Sequence, residues 1–154
     1  LGNWRVVFRD AFGHSDSQLS VHLPEQRVLI AADMLSDIEI PTLNVPAAVY
    51  RATLATLEPL FEGGAVETLI PGHGMVVRGK EAAAEVLRRD LRYLDTLERE
   101  VSAARRAGLP LAETQQRLAG MDDIERHPDC PMREIHENNI TLTYGGTEAA
   151  GARS

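Results

Sequence analysis

The sequence predicts an α/β domain in which a small antiparallel or mixed sheet is covered on one face by helices. Three observations predict it. The first third of the chain carries short strand-patterned runs separated by turn residues. Residues 80–106 carry one unbroken helical stripe. And His14, Asp33 and His73, all with metal-ligating chemistry, each stand where an expected strand stops and a loop begins. That is where a rigid scaffold presents functional groups.

Taken in order, residues 4–8 form an apolar run read as a strand. Residues 19–23 alternate Leu-Ser-Val-His-Leu, the period of a strand with one buried face. On that pattern His22 belongs to the polar face. Pro24-Glu25-Gln26 is turn chemistry, and residues 27–32 form the return strand. The unbroken apolar stretch 28–32 predicts burial on both faces. Residues 33–46 read as a long loop with Pro41 and Pro46 as breakers, in which Asp37 and Glu39 are expected to be solvated. A helix starts near Pro46, capped by Asn44 or a neighbour, with Tyr50, Leu54, Leu57 and Phe61 on its apolar face. Pro59 ends or kinks it, and residues 66–70 return to strand.

The helix at 80–106 is the clearest element. Ala83, Val86, Leu87, Leu91, Leu94, Leu97, Val101 and Ala104 recur in steps of three and four. Glu85 with Arg89, and Asp95 with Arg99, are spaced for i,i+4 support. Gly108 and Pro110 end it, a short helix follows over 111–118, and 121–131 reads as a loop. Residues 132–139 look helical, while 140–144 have strand propensity. Residues 1–144 form one domain and the Gly-, Ala- and Ser-rich 145–154 a flexible tail.

Composition narrows the function classes. A length of 154 residues suits one domain, and 44% hydrophobic with 25% charged residues is ordinary for a globular one. The net charge of -7 argues against a partner held by phosphate neutralisation, so no nucleic acid is expected. No apolar run approaches the ~20 residues that cross a bilayer, so no membrane is expected either. Cys130 is the sole cysteine, which excludes an internal disulfide and favours a reducing, cytoplasmic setting. The chain opens on Leu1 with no secretory leader pattern.

Metal-assisted hydrolysis needs imidazoles and carboxylates from distant positions, gathered at loop tips around an ion that keeps one position for water. His14, Asp33 and His73 suit that design. Other candidates are weaker. His127 and Cys130 lie in a Pro-bounded stretch and read as loop residues. His136 and Asn139 share a helix face and read as structural hydrogen-bonding groups. Ser15 and Ser17 lack a neighbouring base.

The context of the three residues is more specific than any one of them. Gly13-His14 precedes two short strands joined by Leu23-Pro24-Glu25, and Asp33 closes the second. Leu69-Ile70-Pro71-Gly72-His73-Gly74 follows, then a long helix containing Asp90-Leu91-Arg92-Tyr93-Leu94. Across roughly residues 5–106 this pattern resembles the second half of the metallo-β-lactamase superfamily. The resemblance implies half of a four-layer αβ/βα sandwich. It implies two zinc ions in the complete protein, with His14 in the first site, Asp33 bridging both ions and His73 in the second. The implied activity is hydrolysis by metal-bound hydroxide of a small-molecule ester, thioester, lactam or phosphodiester. The alternative is a non-catalytic half-fold that serves as a binding or assembly module.

Two departures from the family's pattern are plain. The His-x-His-x-Asp-His motif of the first half is absent, as are the remaining ligands of both sites. The isolated chain is therefore expected to bind zinc weakly and to be inactive. Ala32 also stands where many members have glycine, a change expected to affect packing and not ligation. Without the other half, Val6, Val21, Leu29 or their alternating neighbours would face water. A partner is therefore expected, either the missing N-terminal half or a second copy of the chain.

Overall fold

The computed structural model describes residues 3–151. Five strands form one mixed sheet in sequence order: β1 (Val7–Asp10), β2 (Leu19–Leu23), β3 (Val28–Ala32), β4 (Thr68–Pro71) and β5 (Val77–Arg78). All neighbouring pairs are antiparallel except β3 with β4, which is parallel. That parallel pair requires a crossover, supplied by α1 (Ala47–Ala55) and α2 (Glu58–Glu62). After β5 come α3 (Lys80–Arg106), α4 (Leu111–Leu118) and α5 (Arg133–Gly151). No helix of the described residues is long and apolar enough to cross a membrane.

The helical layer covers one face of the sheet. Leu29, Ala31 and Leu69 of the strands share one buried core with Tyr50 and Leu54 of α1 and Leu87, Leu94 and Leu97 of α3. The predicted stripe of α3 is the buried one, from Ala83 through Leu94 to Ala104. Pro59 sits in the first turn of α2, where its missing amide costs nothing, so the predicted break separates α1 from α2.

Several expectations are corrected. The first strand begins at Val7 and not at residue 4, and Trp4 stays outside it and exposed. In β2 the faces are the reverse of those read from the alternation. His22 is only 3% exposed and its Nε2 lies 3.2 Å from the Ala65 carbonyl, while Ser20 beside it is also buried. Leu19, by contrast, is exposed. β3 is not buried on both faces: Leu29 and Ala31 point into the core and Ile30 points out. Cross-strand register then aligns Phe8, Val21, Ile30 and Ile70 in one row across the open face. Phe8 is 65% exposed there.

The helix pairings also differ from the i,i+4 expectation. Glu85 binds Arg88 and Arg92, Asp95 binds Arg51, and Arg99 binds Glu100. Arg89 instead reaches the carbonyl of Asp37. Residues 140–144 are helical, because α5 continues unbroken through them. His136, Asn139, Ile140 and Thr143 are all buried, at the three-and-four spacing of a helix face. Residues 145–151 of the expected tail continue α5 instead, and residues 152–154 lie outside the described residues.

A buried charged pair closes the loop after α4. The Arg126 guanidinium and the Asp90 carboxylate are in contact with essentially no exposure, and Arg126 also donates to the Glu39 carbonyl at 2.6 Å. Burial pushes the Asp90 carboxyl up to about 7, with Arg126 and then Arg89 pulling it the other way.

Candidate functional site

His14, Asp33 and His73 come together at the ends of β3 and β4 and in the turn after β1. Asp33 follows β3 directly. The β3–β4 register shifts between Ile30 and Ala32, and Ala32 takes the left-handed conformation at φ 48°. This bend re-aims the chain as it leaves the sheet, and it is a conformation glycine adopts more readily than alanine. The departure at Ala32 therefore changes backbone strain beside the carboxylate. With its amide turned so that the oxygen faces the turn, the Gln18 side chain accepts from the backbone amides of Asp33 and Met34 at 3.1 and 3.0 Å.

His14 lies in the turn between β1 and β2. The backbone amide of Asn44 donates to the Gly13 carbonyl at 2.9 Å, and the Asn44 side chain donates to the His14 carbonyl. Asn44 thus holds His14 and does not cap α1, whose first turn has no side-chain cap. Beneath them Tyr50 donates its hydroxyl hydrogen to the Met34 carbonyl at 3.2 Å. Burial, reinforced by Asp90 and Asp33, raises the Tyr50 phenol well above its ordinary range and keeps it a donor.

His73 sits in the loop after β4. The Gly72 amide donates to the Ala32 carbonyl at 2.8 Å, drawing this loop onto the Asp33 turn. A Cβ at Gly72 would stand 2.1 Å from Asp33 Oδ1, so only glycine permits the approach. This is the physical content of the Pro-Gly-His-Gly pattern: the backbone makes room for a carboxylate.

The resulting geometry is two-sided. His14 Nε2 lies 3.7 Å from Asp33 Oδ2, and His73 Nε2 lies 3.5 Å from Asp33 Oδ1. One carboxylate therefore stands between two imidazoles, with one oxygen turned to each. The His14 side chain is 27% exposed and that of His73 61%, so the cluster is open to solvent. The His14 Nδ1 is buried without a hydrogen-bond partner. Imidazole and carboxylate donors suit zinc in kind. Here they amount to one carboxylate between two imidazoles, short of the four donors that a closed site takes. Among the described residues no group of three or more His, Cys, Asp or Glu side chains is arranged to hold a metal ion.

The remaining sequence candidates lie elsewhere. His136 and Asn139 are buried in a structural network with Tyr93. His127 and Cys130 are in the loop before α5, where the Cys130 thiol lies 3.9 Å from a Glu39 carboxylate oxygen and burial raises its pKa. Asp37 is not merely solvated, because its carboxylate accepts the Met75 amide hydrogen at 2.9 Å. Sequence reasoning weighs Asp37 as a group that could orient a substrate or water and settles on a solvated loop, and it does not raise Ser36, Arg89 and Arg126 beside it. The one signal that could have raised them is polar residues crowded against the Asp33 turn.

Comparison with solved structures decides the architecture. A sec-alkylsulfatase, Pisa1 from Pseudomonas sp., superposes with a TM-score of 0.68 at 18% identity over 92% of this chain. A metallo-beta-lactamase family protein from Thermus thermophilus gives 0.66 at 17% identity over 99%, and a beta-lactamase domain protein from Burkholderia ambifaria gives 0.61 at 20% over 96%. The fold is of the metallo-β-lactamase type. This chain spans only 24%, 46% and 42% of those three structures, so it is part of that architecture. No family model matches the sequence, and no curated protein matches it. Within the metallo-β-lactamase fold the observed unit is one five-stranded sheet and its helical cover.

Proposed function

We propose that this chain contributes one side of a binuclear zinc centre that hydrolyses an ester, thioester, lactam or phosphodiester. His14 would hold one ion, His73 the other, and Asp33 would be shared between the two. The observation that carries this reading is the convergence of two imidazole nitrogens on opposite oxygens of one carboxylate, at 3.7 and 3.5 Å. Bound zinc would supply a water acidified to a pKa of about 7 and a charge that stabilises the developing anion. The chain's own residues position these donors. Asn44 holds the His14 turn, Gln18 the Asp33 turn, and Gly72 lets Asp33 close on the His73 loop. The exposure of His73 leaves an approach for a substrate from solvent.

The proposal includes a partner. The open face of the sheet presents Phe8, Val21, Ile30 and Ile70 as a continuous apolar row. A contiguous exposed patch of this kind marks an interaction surface on a soluble protein. Its occupant is an N-terminal half of the same fold or, in its place, a second copy of the chain. The small share of each comparison structure that this chain spans supports the first choice.

Two measurements test the reading. Co-expression with the polypeptide encoded immediately upstream should yield a complex with two zinc ions and hydrolysis of a test ester. Zinc below one ion per complex, with no turnover over a panel of the four substrate classes, would favour a binding or assembly module. That second reading draws on the want of any three-ligand group among the described residues. Sedimentation at micromolar concentration tests the partner: the chain should run as a pair, and Ile30→Lys should shift it towards monomer. A compact wild-type monomer with no associated polypeptide would refute the docking face.

A further inference from the structure

We propose that Ser36 and Asp37 are positioning residues that pin the His73 loop against the Asp33 turn, setting the His73–Asp33 pair independently of His14. This rests on the metal-centre reading above.

The two residues grip the His73 loop at the His73 carbonyl and two residues beyond it. Ser36 is buried, and its hydroxyl donates to the His73 carbonyl at 3.0 Å. The same oxygen accepts from the amides of Ile38 and Glu39 at 3.2 and 3.1 Å, so its donor and both acceptor positions are used. Two residues beyond His73, the Met75 amide donates to Asp37 Oδ1 at 2.9 Å. Gly74 between them has φ 102°, and a Cβ there would stand 2.0 Å from that carboxylate oxygen. The second glycine of Pro-Gly-His-Gly therefore makes room for Asp37 as the first does for Asp33.

The platform is itself braced from behind. Arg89 of α3 donates to the Asp37 carbonyl, and Arg126 donates to the Glu39 carbonyl from its buried pair with Asp90. Residues 36–39 are thus tied to the helical layer before they touch the His73 loop. His14 is held by a different set, Asn44 and the turn on Tyr50. The two imidazoles depend on separate supports, and that asymmetry can be measured.

Groups that orient metal ligands through hydrogen bonds commonly alter metal affinity by about 10- to 100-fold when removed. The test is a zinc chloride titration of the full chain followed by NMR, reading the His14 and His73 imidazole resonances separately. In Asp37→Ala the His73 response should need on the order of tenfold more zinc, with the His14 response unchanged and the Met75 amide exchanging faster. Asp37→Asn, which keeps the accepting oxygen, should restore the His73 response. Ser36→Ala removes one hydroxyl and provides the same comparison if Asp37→Ala fails to fold. If the variants leave both imidazoles responding as in wild type, or shift both equally, the positioning role is wrong. If zinc moves neither imidazole in the wild-type chain, the His73–Asp33 pair holds no ion in this chain and the inference falls, while the two-sided centre stands or falls on the zinc content of the co-expressed complex.

Discussion

Two polar clusters among the described residues are built around histidine, and they differ in whether the imidazole nitrogens are already committed. His136 is 1% exposed, and both ring nitrogens are bonded. Its Nε2 faces the Leu118 carbonyl at 2.9 Å, which can only accept, so the proton belongs on Nε2 and Nδ1 accepts from the Tyr93 hydroxyl at 2.9 Å. Tyr93 in turn accepts from Asn139 Nδ2 at 3.0 Å, and Asn139 also bonds Pro41 and Leu43. That network ties α5 to α3, to the end of α4 and to the chain leaving the Asp33 loop. His14 and His73 instead face a shared carboxylate in the open. A histidine with both nitrogens bonded to the protein is structural; two that share one carboxylate at a loop tip have donors to offer an ion.

Substitutions should split along that line. In a completed centre, Asp33→Ala should abolish hydrolysis while changing stability by less than ~0.5 kcal/mol, since it removes a half-exposed side chain from a loop tip. Turnover assays beside urea unfolding check both halves. Retention of near-wild-type turnover would remove Asp33 from the bridging role. His136→Ala should do the reverse, costing roughly 2–4 kcal/mol because it opens a cavity and leaves the Tyr93 hydroxyl and Leu118 carbonyl unmatched. Zinc titration of that variant should leave the His73 response intact, and a loss would show the two clusters to be coupled.

The pH dependence is a finer version of the same contrast. Burial holds the His136 imidazole below its ordinary 6.5, against the raising pull of the Leu118 carbonyl and Glu137. A depressed folded-state pKa means the stabilisation is present above the unfolded value and is lost as pH falls through the folded one. Stability should therefore fall as pH drops below 6.5, by the charging of His136. Asp90, raised to about 7, acts in the opposite sense over an overlapping range, because its contribution is lost as pH rises. The difference between wild type and His136→Gln isolates the histidine, and it should shrink towards acid pH. A pH-independent difference would mean that His136 does not titrate with folding. The smallest expected effect is at Ala32: relief of the positive φ by Ala32→Gly should add up to ~1 kcal/mol, visible as a small rise in Tm. A fall would mean that the methyl group packs better than the backbone strain costs.

Much was legible from local pattern. The stripe over α3, the break at Pro59, the limits of β2 and α4, and three potential ligands at strand ends all follow from periodicity and turn chemistry within short windows. What failed depended on distant partners. Alternation in β2 announced two unlike faces without saying which one the helices would cover. His22 turned inward because the Ala65 carbonyl, 43 residues away, meets it there. Val21 and Ile30 turned outward onto a face that no element of the described residues covers in the same way. The β-branched and aromatic run 140–144 favoured strand by propensity, yet Ile140 and Thr143 continue the buried face begun by His136 and Asn139, and tertiary burial outweighs a few tenths of a kcal/mol of local preference. Asp37 and Arg126 looked like loop charges because their partners, the Met75 amide and the buried Asp90, come from other elements. The sequence by itself determined the elements and the chemistry waiting at their ends, since both are local. Only the tertiary structure decided which polar groups are committed to the fold and which stand open, because a polar group's role is set by the neighbour that satisfies it.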